Sequence, residues 1–238
     1  MAFETLRRTA TGAEAQSVAI DLGLRSYMLR VYNYMGSGLA LTGLVALLVA
    51  SNEALMQALF GSGLMWVVML APLALVFFLS FRVQKMSLTA VQTTFWVYAG
   101  LMGAALAPVF VVYTGASIAR TFFICAATFA GMSLYGYTTK KDLSGIGSFL
   151  IMGLWGLILA SLVNLFMQSS MLQFVISAAG VLIFTGLTAW DTQKIKELYL
   201  GSDGHEIAGK KAVMGALTLY MDFLNLFLML LRFFGDRR

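Results

Sequence analysis

The sequence predicts an all-α integral membrane protein, a single bundle of seven transmembrane helices. Two observations lead to this fold class. The 238-residue chain is 60% hydrophobic and only 11% charged, whereas a soluble domain carries about 25% charged residues because polar groups must cover its surface. The apolar residues also fall into seven segments, each close to the roughly 20 residues that a helix needs to cross a bilayer. Lipid therefore replaces water around most of this chain.

A polar arm precedes the apolar segments. Residues 1–26 carry mixed charge, and Asp21 and Arg25 interrupt any apolar run of signal-peptide length. We interpret residues 1–26 as an uncleaved cytoplasmic arm, followed by a transmembrane domain of residues 27–238. The seven predicted segments are 31–51, 63–81, 88–113, 118–138, 147–167, 171–190 and 212–232. Helices are expected because in lipid a segment must satisfy its own backbone polar groups.

Twelve of the 16 basic residues occur in alternate loops, before the first segment and after the second, fourth and sixth. They are Arg7, Arg8, Arg25, Arg30, Arg82, Lys85, Lys140, Lys141, Lys194, Lys196, Lys210 and Lys211. The loops 51–62, 113–117 and 168–170 contain none. The positive-inside rule therefore places the amino terminus in the cytoplasm. This spread of charge through short loops favours a topology signal over nucleic-acid binding for the net charge of +5.

The last segment leaves one question of topology open. A full seventh crossing places Arg232, Arg237 and Arg238 on the outside, against the charge rule. A re-entrant segment is the alternative, and we favour the full crossing only slightly.

Small residues in the first and third segments, including Gly38 and Gly103, predict close helix packing.

Two acidic residues lack an obvious place in a loop. Asp191 ends the sixth segment and Asp222 lies in the middle of the seventh. A carboxylate in lipid costs several kcal/mol, so each is expected to face the bundle interior and to have a partner. Two carboxyl groups meeting there should not both be ionised near neutral pH, and they can share a proton. For Asp191, an interfacial position beside Lys194 is the plainer alternative.

An aspartate pair of this kind is a candidate pH sensor and a candidate calcium site. Two carboxylates supply at most four of the six to eight oxygens that calcium prefers, so the pair predicts weak, transient binding that suits permeation. Straight helices leave Asp222 about 15 Å deeper than Asp191, at 1.5 Å per residue. Contact therefore requires tilt, an extended sixth helix or an offset seventh helix.

Other reactive residue types have plainer interpretations. Arg82, at the inner end of the second segment, is either a partner of the carboxylates or a positive-inside anchor. Cys125 lies in an apolar run and is interpreted as a small core residue, and His205 lies in the polar stretch GSDGHE and is expected to be solvated.

The stretch YGYTTKKDLSGIGSFLIMGL at 135–154, with AWDTQKIK at 189–196 and YMDFLNLFLMLLR at 220–232, resembles the bacterial branch of the Bax inhibitor (transmembrane Bax inhibitor motif) family. The resemblance extends from about Arg25 to Phe234. It implies a bundle whose last helix is surrounded by the other six, in a bacterial inner membrane. It also implies a pH-sensitive calcium leak governed by Asp191 and Asp222, with Arg82 as a latch in the closed state. Where family members can carry a glutamate, this chain has Ala71, which predicts weaker conduction.

Competing function classes are weighed against this leak. An intramembrane aspartyl protease also uses two aspartates on consecutive helices, but the glycine-rich context and the Pro-Ala-Leu motif of that class are absent. A non-catalytic regulator of a membrane-bound ATP-dependent protease, with residues 1–26 as the contact, is the main alternative. No phosphate-binding loop is present, so nothing indicates ATP-driven pumping. We predict no enzyme and no cofactor, with calcium as the permeant ion, and calcium, protons and the lipid bilayer as partners.

Overall fold

The structure is a computed structural model that describes the backbone of residues 2–238 and the side chains of residues 21–238. It consists of eight α-helices over this range, with one short 3-10 turn at Val83–Lys85. The helices are α1 (Ala2–Ala50), α2 (Glu53–Phe60), α3 (Leu64–Arg82), α4 (Leu88–Val112), α5 (Gly115–Thr138), α6 (Ser144–Met167), α7 (Ser170–Glu197) and α8 (His205–Phe234).

All seven predicted membrane segments are helices, which confirms the all-α membrane fold. In the part of the chain described, seven helical stretches are long and apolar enough to cross a bilayer, and they lie in α1 and α3–α8. The predicted loop at 51–62 contains a further helix, α2, that the sequence interpretation missed. Asn52 caps it, because its side chain accepts a hydrogen bond from the Leu55 N–H at 3.1 Å.

Polar residues at the starts of three long helices explain where those helices begin. The hydroxyls of Ser87, Thr114 and Ser169 each accept a hydrogen bond, at 3.3 Å, from a backbone N–H in the first turn of α4, α5 and α7. These groups satisfy N–H donors that have no partner within a helix. Short capped turns therefore separate long apolar helices.

The last helix forms the core of the bundle. Two thirds of its most apolar stretch (67%) is buried, against 11% to 33% in the other six spans. It packs against α1, α4, α5 and α7. The large apolar side chains on the outer faces of α3 and α6, such as Trp66 and Phe149, are exposed, as expected for surfaces that face lipid. The central position of the last helix is confirmed.

α8 runs the full height of the bundle. It begins beside the start of α4, where a Cβ at Gly209 would lie 2.7 Å from the Leu88 side chain. It ends beside the turn between α4 and α5, where Thr114 N–H donates to the Asp236 carbonyl at 3.1 Å and Asp236 N–H donates to the Ser117 hydroxyl at 2.9 Å. The favoured full crossing therefore agrees with the packing, and the carboxyl terminus lies at the opposite end of the bundle from the turn between α7 and α8.

The predicted arm continues directly into the first membrane helix. α1 is one helix over Ala2–Ala50, about 74 Å long at 1.5 Å per residue. This exceeds twice the roughly 30 Å of bilayer hydrocarbon, so the amino-terminal half extends beyond the membrane core. The side chains of residues 1–20 lie outside the described part, and the division at residue 26 stays a prediction.

Small residues bring α1 and α4 together at two of the predicted positions. A Cβ at Gly38 would lie 2.8 Å from the Phe95 ring, and one at Gly103 would lie 2.8 Å from the Val45 Cβ. Glycine is required there because any side chain would separate the helices. Gly36, by contrast, has open space around it.

Candidate functional site

The two aspartates predicted as the site meet inside the bundle. Asp191 on α7 is 8% exposed and Asp222 on α8 is 6% exposed. Their carboxyl groups lie close enough to interact with each other. The Asp191 side chain is therefore buried in the bundle against α8, with Lys194 one turn further along α7. The interfacial alternative concerns depth in the membrane, and it stays a prediction.

The register of the two helices explains how these residues meet. α7 and α8 are antiparallel, with Gly215 against the Ile195 side chain and Gly180 against the Met229 side chain. This register places Asp191 about three residues, or about 4.5 Å along the axis, from the level of Asp222. The side chains can bridge that offset.

Two features of the helix bounds help to bring the carboxyl groups to the same level. α7 continues to Glu197, beyond the predicted end at 190, and α8 begins at His205, before the predicted start at 212. The first turns of α8 extend past the end of α7, so the middle of α8 is level with the last turns of α7.

Among the described residues, no lysine or arginine forms an ion pair with Asp191 or Asp222, although the Lys194 charge acts on Asp191 from one turn away. The ion pairs of the described residues lie elsewhere, at Arg120–Asp236, Lys210–Glu206 and Lys211–Asp203. Lys194, one turn beyond Asp191, is exposed, and its Nζ lies 4.9 Å from the Trp190 ring centroid. Within the described part of the chain, the Oδ2 atom of Asp222 is buried and has no hydrogen-bond partner.

These surroundings limit the states that the pair can adopt. Two buried carboxylates without a counterion repel each other, and burial disfavours both charges. A shared proton relieves the repulsion, and so does a cation bound between the two groups. The unpartnered Oδ2 atom of Asp222 is available to accept the shared proton or to bind the cation.

The structure does not bring Arg82 to this pair. Arg82 ends α3 with an exposed side chain and makes no ion pair with Asp191 or Asp222. α3 packs mainly on α4, and α4 lies against α8. Its latch role stays a prediction, as does the effect of Ala71, which is half-buried in α3.

Polar contacts that the sequence interpretation missed hold α7 in place beside the site. The Thr192 hydroxyl contacts the Ser133 hydroxyl of α5 at 2.9 Å, and Ser133 contacts the Tyr32 hydroxyl of α1 at 2.6 Å. Buried Gln193 accepts a hydrogen bond from the Leu143 N–H at 2.9 Å and donates one to the Lys141 carbonyl at 2.8 Å. Thr192 and Gln193 both lie in the motif AWDTQKIK, in which the sequence interpretation recognised only Asp191.

A second polar cluster holds α8 two residues before Asp222. The Tyr220 hydroxyl contacts the Thr42 hydroxyl of α1 at 2.6 Å, and Thr42 also lies 2.9 Å from the Ala99 carbonyl of α4.

Further along α8, half-buried Asn225 lines a cavity of about 230 Å³ between α3, α4 and α8. An asparagine in the run FLNLFLM was the signal that could have identified it.

Acidic residues, histidines and cysteines do not gather into a larger cluster over the described range. No group of three or more of these residue types is placed to hold a metal ion. The aspartate pair therefore offers few ligands of its own, and calcium would need further oxygens from backbone, amide or water. Cys125 is fully buried on α5, as the core interpretation predicts.

The fold and the site define a class of protein: an all-α membrane bundle with a buried carboxyl pair against its central helix. A family model described as "Inhibitor of apoptosis-promoting Bax1" matches residues 24–238. The chain belongs to this family, the Bax inhibitor family of membrane proteins, which confirms the resemblance.

Bacterial relatives match along nearly their whole length. The Rickettsia prowazekii protein RP147 is 52% identical over 226 residues, which cover 94% of this chain and 95% of the relative. The Escherichia coli inner membrane protein YbhL is 48% identical over 219 residues, covering 91% and 94%. A Caulobacter vibrioides protein is 43% identical over 241 residues, covering 95% and 94%.

Proposed function

We propose that this protein is a passive, pH-sensitive cation leak with calcium as the permeant ion, and that Asp191 and Asp222 govern it. The observation that carries the proposal is the meeting of two buried carboxyl groups that form no ion pair with a lysine or arginine in the described part of the chain. In a membrane bundle such a pair is costly, and ionisable residues placed there usually serve a function. Its chemistry offers one, because a proton and a cation compete for the same oxygens.

The direction of the pH dependence follows from this competition. At lower pH a proton shared by the pair reduces its negative charge, and the attraction for a divalent cation is weak. At higher pH this shared proton leaves, and the two carboxylates attract the ion. Cation flux should therefore rise with pH.

Weak binding suits passage of an ion better than its storage. The pair supplies at most four oxygens, and calcium takes six to eight. Asn225 is one turn beyond Asp222 and adds an amide oxygen beside the cavity between α3, α4 and α8. We propose that the ion passes along this side of α8. Because the Arg82 side chain is exposed, its role as a latch would require a movement of α3 toward Asp191 and Asp222.

A flux assay tests the proposal. The full chain, reconstituted in liposomes, is compared with the Asp191→Asn/Asp222→Asn variant for calcium influx between about pH 6 and about pH 8. Glu197→Gln is the matched control, because this exposed carboxylate ends the same helix. We expect influx that rises with pH in the wild type and the control and has no pH dependence in the double variant. A double variant with the wild-type profile, or wild-type influx equal to that of empty liposomes, contradicts the proposal.

The second candidate function is regulation of a membrane-bound ATP-dependent protease. The continuous α1 helix supports it, because its length carries its amino-terminal half beyond the membrane. We place the protein in the bacterial inner membrane with this half in the cytoplasm, and we propose no enzymatic step. Deleting residues 2–20 while measuring turnover of the protease's substrates tests this role. Unchanged turnover contradicts it, and the deletion should leave calcium influx intact.

A further inference from the structure

A cavity of about 580 Å³ separates α1 from α5 on one side of α8. Its wall is mainly apolar, with Met28, Met35 and Phe129 among its residues and Phe223 of α8 at the back. At the sides, Leu29 and Leu134 are 53% and 62% exposed. The cavity therefore opens sideways, toward lipid.

Two hydroxyl groups in the wall, those of Tyr32 and Ser133, have partners within the protein. The Tyr32 hydroxyl is engaged by Ser133 at 2.6 Å, and Ser133 by Thr192 at 2.9 Å. The interior therefore favours an apolar occupant, because no polar ligand is needed to satisfy these hydroxyls.

The length of the cavity matches one leaflet of a bilayer. Along α1 it is lined from Arg25 to Met35, which is about 15 Å at 1.5 Å per residue. Along α5 it is lined from Ala126 to Tyr137, which is about 16 Å. Half of the roughly 30 Å hydrocarbon core is also about 15 Å, so an extended acyl chain of one leaflet fits.

One end of the cavity is basic and continues into a second depression. Arg25 and Leu29 line both the cavity and an adjoining depression of about 400 Å³, whose other residues include Ser26, Arg30 and Asn33. Two guanidinium groups and two polar side chains therefore lie beside the end of an apolar channel. The combined shape is that of an amphiphile with an anionic head.

We propose that this surface binds one anionic glycerophospholipid of the leaflet at the Arg25 end. An acyl chain fills the cavity between α1 and α5, and the phosphate lies between Arg25 and Arg30. Guanidinium groups match phosphate geometry with paired hydrogen bonds. The proposal does not depend on ion permeation.

Lipid retention tests it. The full chain is extracted from vesicles of phosphatidylglycerol and phosphatidylcholine, and native mass spectrometry counts the lipids that stay bound. Ala130→Trp places an indole in the cavity from an exposed position that lines it, and Ala127→Trp, also exposed on α5 but outside the lining, is its control. Arg25→Gln/Arg30→Gln removes the charges, with Lys85→Gln as the control.

We expect wild type and both controls to retain one phosphatidylglycerol in preference to phosphatidylcholine, and Ala130→Trp to lose it. The double arginine variant should bind about 30-fold more weakly, since each basic residue near an anionic surface contributes about 1 kcal/mol. Circular dichroism verifies that the variants are folded. Equal retention by Ala130→Trp and Ala127→Trp overturns the site. Equal retention of phosphatidylglycerol and phosphatidylcholine by the wild type overturns the assignment to an anionic phospholipid.

Discussion

Replacing Gly136 by alanine should separate α5 from α7 next to the aspartate pair. Gly136 is buried, and an added Cβ would lie 2.8 Å from the carbonyl carbon and 3.0 Å from the Cα of Ala189, and closer still to the carbonyl oxygen. Ala189 is two residues before Asp191. The contacted atoms are backbone, so no side-chain rotation can relieve the overlap.

The magnitude follows from the distance that must open. Carbon atoms pack at about 3.5–4.0 Å, so α5 must move away from α7 by about 1 Å. Overpacking of this kind costs about 1–3 kcal/mol. Alanine also favours a helix over glycine by about 0.5–1 kcal/mol, and a control on the same helix removes this contribution.

The control is Gly131→Ala. Gly131 lies on α5 in an exposed position, and an added Cβ there meets nothing within 4 Å. The assay is the free energy of unfolding in mixed micelles of mild detergent and dodecyl sulfate. We expect Gly136→Ala to be about 1–3 kcal/mol less stable than Gly131→Ala, because helix propensity contributes equally to both.

The separation should also reach the neighbouring hydrogen bond. Ser133 and Thr192, one turn away on the same two helices, are 2.9 Å apart, and a shift of about 1 Å exceeds the range of a hydrogen bond. Ser133→Ala should therefore destabilise the wild type more than it destabilises Gly136→Ala. Equal stability of the two glycine variants would refute the close contact between α5 and α7 and, with it, this account of how Asp191 is positioned.

Further predictions concern other contacts and use the same unfolding assay. Tyr220→Phe removes the hydroxyl that contacts Thr42, and we expect a loss of about 1 kcal/mol; no loss would mean that this buried contact is not formed. Gln193→Leu leaves backbone groups of the turn between α5 and α6 without partners, and a loss of about 2 kcal/mol with faster amide exchange in that turn is expected. Asp236→Asn breaks the exposed ion pair with Arg120, so the change should stay below about 1 kcal/mol and disappear in high salt; a larger loss would show a structural role for the carboxyl terminus.

Hydropathy and charge were enough to predict the seven membrane helices and to single out Asp191 and Asp222 as an unusual pair. In lipid a helix satisfies its own backbone hydrogen bonds, so a run of about 20 apolar residues predicts a spanning helix from local information alone. All seven spans are present. Asp222 stood out for the same reason, because a carboxylate in an apolar run has a cost that only a partner inside the bundle can offset. The short helix α2 was missed because it is too short to cross a membrane.

The tertiary structure decided how these parts meet. The contact of Asp191 with Asp222 depends on the register of α7 against α8, and Gly215 and Gly180 set that register by packing against side chains far away in the sequence. The exposed position of Arg82 and the lateral cavity beside α1 likewise follow from which helices pack together. By itself the sequence determined the number of membrane helices and the cost of a buried charge, because both are local properties of a segment in lipid. Only packing between distant segments decided which charges meet, since it depends on the shapes of facing side chains.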